Sequence, residues 1–161
     1  MSDTAAGIHP ALLVPVPEEH LESGLDICRK QGKVAFGSRM FEVFQELDAM
    51  LDGKPCPVLI YASWPKTPLP VATVTWSGTY VGHVHSRGGQ HPDKMKYRPP
   101  TTAQYPDDNI GHWAVFYHVS ELTKLPKEQR IEIPLLYPFG KPKAYPKTTK
   151  IEHPVIVKSP Y

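Results

Sequence analysis

The stretch "PVLIYASWPKTPLPVATVTWSGTYVGHVH" (residues 57–85) decides the fold class, because it reads as two β-strands around a proline-rich turn. "PVLIYAS" (57–63) is a continuous run of β-favouring residues, and "VATVTWSGTYVGHVH" (71–85) alternates. Strict alternation puts Val74, Trp76, Tyr80 and Val84 on one face and Thr73, Thr75, Thr79, His83 and His85 on the other. For Trp64, followed by Pro65 in the turn, burial is a less natural explanation than for the other tryptophans. The strand ends in His83-x-His85, then "SRGGQH", so a third histidine, His91, follows closely.

Further strands are expected downstream. "HWAVFYHV" (112–119) sets Trp113, Val115, Tyr117 and Val119 on one face, while "IEIPLLY" (131–137) and "HPVIVK" (153–158) are shorter candidates. "SELTKLPKEQ" reads as a helical turn capped by Ser120. Nineteen of the 161 residues are proline, more than twice the roughly 5% average, and most follow residue 54. Short strands joined by stiff loops fit that distribution better than long helices.

Upstream, two helices are expected. "PEEHLESGLDICRKQG" (17–32) has proline at its first position, acids in its first turn, Arg29 and Lys30 in its last, and Gly32 as a stop. "SRMFEVFQELDAMLDG" (38–53) carries Met40, Val43, Phe44, Leu47, Met50 and Leu51 on one helical stripe, with Ser38 to cap its start and Gly53 its end. "KVAF" between them is a candidate strand. Residues 1–16, with "ALLVPV" broken by prolines, read as an extended N-terminal arm. Together these give a single α+β domain of about five to six strands with flanking helices.

Charge is divided along the chain. Residues 1–53 hold nine acids against four bases, and residues 54–161 hold seven acids against fourteen bases. A basic half points to an anionic partner such as a nucleic acid, or to a solvated lysine-rich surface. The basic residues gather in two places. Residues 86–111 form a long loop with Arg87, Lys94, Lys96 and Arg98 interleaved with Tyr97 and Tyr105. The linker 139–152 leads to the final strand through Lys141, Lys143, Lys147 and Lys150, with Lys158 beyond. Phosphate binding and base stacking use this combination of residues. Cys28 and Cys56 form no CxxC motif, which fits a reducing cytosol. No signal-peptide pattern and no run of about 18 apolar residues occurs, so a cytoplasmic protein without membrane association is expected.

The order of these segments resembles the PUA-like superfamily, especially its ASCH and EVE branches. The residues that carry the resemblance are Gly37–Ser38 at the turn into a helix, "IYAS" at a strand end, Trp76 to Gly82 in an alternating strand, and "HWAVFYHVSEL" leading into "LPKEQRIEIPLL". The resemblance implies a partly closed β-barrel that binds RNA or a modified nucleobase in a cleft. Its lining would include Ser38, Arg39, Ser63, Trp64, Trp76, Tyr80, His83, His85, His112 and Trp113, with Arg87, Lys94 and Arg98 reaching for phosphates. Hydrolytic ASCH members carry a lysine–threonine pair where this chain has Ser38 and Arg39. An arginine that stays protonated removes their general base. The leading expectation is therefore a binding module with no cofactor and no chemistry of its own. The alternatives are a small hydrolase, a metalloenzyme ligated by His83, His85 and His91, and a protein-interaction domain with a basic face.

Overall fold

The structure, a computed structural model, describes residues 8–161. Seven strands form one sheet: β1 (Pro10–Pro17), β2 (Val34–Ser38), β3 (Cys56–Ser63), β4 (Thr73–His85), β5 (Val115–Lys124), β6 (Ile131–Glu132) and β7 (Val155–Lys158). Six of them run in the order β2-β5-β4-β3-β1-β7, with β6 pairing beside the start of β4. The pairing of β1 with β3 is parallel and the others are antiparallel. The sheet curls into a half-barrel, and helices α1 (Glu18–Gln31) and α2 (Phe41–Leu51) complete an α+β domain.

The expected helices form for the reasons their sequences suggest. In α1 the spacing of Leu21, Gly24 and Cys28 makes a buried stripe, and Gly32 closes the helix in the left-handed conformation. In α2 the stripe is Phe44, Leu47 and Leu51, with Met50 outside it. Its boundaries differ from expectation. The helix begins after Met40, whose amide donates to the Ser38 hydroxyl at 3.0 Å, and Asp52 takes the left-handed turn before Gly53.

Strand β1 is the main departure. Residues 10–16 were expected in an extended arm outside the sheet, but they lie within it, between β3 and β7, with Ala11 to Val14 fully buried. Residues 1–7 of that arm lie outside the described residues. Leu12, Val14 and Val16 point into the core beneath the helices, with Leu21, Phe44, Leu47, Trp76 and Tyr117. Ala11 and Leu13 point into a second core made by Leu59, Val74, Leu125, Ile133, Leu136, Ile151 and Val157. A strand covered on both faces reads as a continuous apolar run rather than an alternating one. β7 ends opposite Leu13, so Pro15 and Pro17 fall where β1 has an edge on that side and a missing N–H is tolerated.

Two irregularities overturn the simple alternation in β4. Ile60 pairs with Trp76 and Tyr61 with Val74, which leaves Thr75 as an extra residue and sends Val74 and Trp76 into different cores. Tyr80 pairs with Val119 and His83 with Tyr117, so three residues of β4 face two of β5 around Gly82, whose φ is 118°. One inserted residue reverses the facing of all that follow, and His83 therefore shares the side of Tyr80. "SELTK" is not a helical turn. It continues β5, with Glu121 at φ 55° marking another shift, and only Lys127–Gln129 coils.

Loop segments bond to both outer strands of the sheet. The Ala35 amide of β2 donates to the Tyr97 carbonyl, and beside β7 the Phe139 and Lys158 amides bond Ile156 and Tyr137 carbonyls. Among the described residues no helix is long and apolar enough to cross a membrane.

Candidate functional site

A cavity of about 620 Å³ opens where β3 ends and β4 begins. Its walls come from the first residue of α1, the end of β3, the turn at residues 65–72, the start of β4, Lys124 at the end of β5, Arg130, and residues 147–150. The proline-rich turn cannot pair as strand, and it arches away from the sheet to form one wall. Lys66, Lys124, Arg130, Lys147 and Lys150 border the cleft, against one acid, Glu18. Thr67, Thr73, Thr75, Thr148 and Thr149 supply hydroxyls, and Tyr61 an aromatic face.

The acid is fixed by the fold. Glu18 is 6% exposed, and its Oε1 accepts the Lys66 amide at 2.8 Å while Oε2 accepts the Trp76 indole N–H at 3.3 Å. Burial pushes this carboxyl up, but those two hydrogen bonds and the charges of Lys124 and Lys66 outweigh burial and hold it below its ordinary value. It is therefore ionised at neutral pH. Lys66 pairs with Glu22 at 2.7 Å, and Lys124 lies 4.0 Å from Glu18 and over the Trp76 ring. Among the described residues no carboxylate stands within ion-pair distance of Arg130, Lys147 or Lys150.

Two residues that line this cleft each hold a buried orphan atom. Arg130 Nε and Thr75 Oγ1 are buried and have no hydrogen-bond partner among the described residues. A buried polar group left unpaired costs about 1–3 kcal/mol, which a correctly placed ligand oxygen would relieve. Thr75 is the extra residue of the β4 irregularity, so the bulge that interrupts the ladder also places this residue in the cavity wall.

The residues expected to line one cleft do not converge. β4 has thirteen residues, which at about 3.3 Å each span roughly 40 Å. Ser63 and Trp64 belong to the end of β3 beside the cavity, and Trp64 is 87% exposed. Trp76 is fully buried under the cavity and presents no stacking face. Ser38, Arg39, His83, His85, Arg87, His112 and Trp113 lie at the opposite end of the sheet, where β2 and β4 end and β5 begins. There Tyr80, fully buried, donates to Asp48 at 2.6 Å, and His83 Nδ1 lies 2.9 Å from the same carboxylate. Trp113 packs on Gly37 and its indole donates to Asp108 at 3.0 Å, while His112 meets its ring edge-on.

The long loop 86–111 is built rather than open. Arg98, expected to reach a phosphate, is 2% exposed, and its guanidinium donates to the Ala35 and Asp108 carbonyls and to the Asn109 and Asp108 side chains. Burial pulls this guanidinium down to about 10, and it stays charged at neutral pH. Arg87 and Lys94 are exposed on the loop surface. The three-histidine set is divided. His83 and His85 meet edge-on, whereas His91 packs on Phe116 and bonds His118 at 2.9 Å, on the face away from Tyr117. Among the described residues no three His, Cys, Asp or Glu side chains gather to hold an ion.

Glu18, Thr75, Lys124 and Arg130 went unrecognised as a set because no sequence spacing links them. Lys147 and Lys150 were visible as part of the C-terminal basic run. No protein-family model matches the chain, and no curated protein matches it in sequence.

Proposed function

We propose that the cleft between the 65–72 turn and residues 147–150 binds a nucleotide or a short stretch of RNA through its phosphates. The observation that carries this is the pairing of five cations against one acid with two buried, unpartnered polar atoms in the same wall. A merely solvated lysine surface gives no reason for an arginine Nε to be buried without an acceptor. A phosphate drawn into the cleft would offer acceptors to the Arg130 guanidinium and the Thr75 hydroxyl once these two lining side chains turn toward it. The volume falls within the roughly 300–1,000 Å³ of small-ligand sites. Ionised Glu18 would repel a phosphate but accept a hydrogen bond from a ribose hydroxyl or a base amine, which favours a nucleotide over a bare polyanion. A half-barrel flanked by two helices is also compatible with the PUA-like architecture that the order of segments resembles.

The test is a titration of a fluorescent eight-nucleotide single-stranded RNA, followed by anisotropy from low to high salt. Three to five phosphate contacts give a slope of log K against log salt of about −2 to −3.5, at roughly −0.7 per contact. The double variant K147E/K150E should flatten that slope by about 1.4 or more and weaken binding. Absence of binding at low salt, or an unchanged slope in the variant, refutes the proposal.

A further inference from the structure

Trp64 is the residue on this surface that folding explains least. Its side chain is 87% exposed, the most exposed of the large hydrophobic residues. Its φ is 51°, the left-handed region that bulky residues avoid, and it precedes Pro65, which restricts its backbone further. Among the described residues the other non-glycine residues at positive φ are Asp52, Lys94 and Glu121, none of them aromatic. Among the described residues no aromatic or cationic side chain stacks on it. An exposed aromatic ring on a backbone outlier is an observation from which a role outside the fold can be argued. Trp64 is not itself among the lining residues of the basic cleft, but Ala62, Pro65 and Lys66 on either side of it are, so its backbone lies at the rim of that cleft.

We infer that Trp64 is a stacking platform for one splayed base of a single-stranded nucleic acid, which rests on the cleft being the site that holds the neighbouring phosphates. Every base has a π-face, so such a platform is indifferent to sequence and requires only that the base be unstacked. A duplex satisfies neither condition. Its bases are already stacked on one another, and a cavity of about 620 Å³ is far too small for it to enter. The chemistry of the two parts is complementary: cations and a hydroxyl for the backbone, an aromatic ring for the base, and Glu18 for a donor between them.

The experiment compares wild type with Trp64→Gly, using the same eight-nucleotide RNA as a single strand and as a duplex. Glycine adopts a positive φ freely, so the variant should melt at the wild-type temperature or above it. Its affinity for the single strand should fall about 5- to 150-fold, the factor that corresponds to one base–aromatic stack. The exposed indole should be quenched when wild type binds, and that quenching should vanish in the variant. The duplex should bind wild type at least tenfold more weakly than the single strand. If wild type binds the strand, with K147E/K150E weakened, but Trp64→Gly binds equally well, the platform is wrong and the cleft stands. A variant that melts several degrees lower makes Trp64 a packing residue, and equal duplex binding also overturns the inference. If wild type binds no single strand at all, the cleft reading falls and the platform with it.

Discussion

Lowering the pH from 7 to 5 should destabilise the protein through the buried pair His91–His118, well before most carboxylates titrate. His91 Nδ1 accepts the Asp93 amide at 2.9 Å, so in the neutral ring its proton sits on Nε2. That nitrogen lies 2.9 Å from His118 Nε2 and must donate to it, which places the His118 proton on Nδ1. Neither ring can take a second proton without turning one N–H against another. His91 and His118 are 2% and 5% exposed. Burial foremost, and the nearby charges of Lys33 and the other histidines, pull His118 down from 6.5 to about 4, against the opposing pull of Asp93. Burial lowers His91 too, helped by Arg98 and Lys33 and opposed by Asp93. A base held below its unfolded value binds its proton more readily in the unfolded chain. Stability is then complete above pH 6.5 and lost as pH falls toward 4. At about 1.4 kcal/mol per pH unit, the His118 gap amounts to about 3 kcal/mol, of which about 2 kcal/mol is lost by pH 5. Urea unfolding at pH 7, 6 and 5 measures this directly, with H91Q/H118Q as the comparison. The variant's absolute stability is immaterial; only its pH slope matters. If wild type and variant lose the same stability between pH 7 and 5, the tautomer argument is refuted.

Two further outcomes test how the loop and the sheet are tied together. Arg98→Met leaves Asp108 and two carbonyls without their buried donor, and should cost about 3–5 kcal/mol in a denaturant titration. A loss under about 1 kcal/mol would show that Arg98 does not hold the loop. Gly37→Ala drives a methyl group into the Trp113 ring. It should cost about 1–3 kcal/mol and alter the near-ultraviolet circular dichroism of that indole; an unchanged spectrum would mean that the ring does not pack there.

Much of the fold was legible because local pattern and tertiary environment agree. Helix α1 carries its acids first, its bases last and Gly32 at its end, and α2 has apolar residues at helical spacing. β3 and the body of β4 announce themselves by β-branched and aromatic residues. Where the two sources disagree, an identifiable competing effect is responsible. The prolines of "PALLVPVP" argued against a sheet strand, yet β7 stops short of Pro15 and Pro17 and the 125–151 segment covers the second face. That cover is invisible from residues 10–17 alone.

Sequence by itself determined the fold class, the helices, the positions of β2, β3, β4, β5 and β7, and the excess of positive charge after residue 54. These depend on neighbours a few residues apart, whose chemistry shows in periodicity. Only the tertiary structure decided which charges meet. Arg98 turns inward, while Lys66, Lys124, Arg130, Lys147 and Lys150 gather from segments up to 84 residues apart around Glu18. It also decided which way β4 faces, since one extra residue at Thr75 and another at Gly82 reverse the alternation. A bulge depends on the partner strand as much as on its own residues, and a cleft depends on chain crossings that no local spacing encodes.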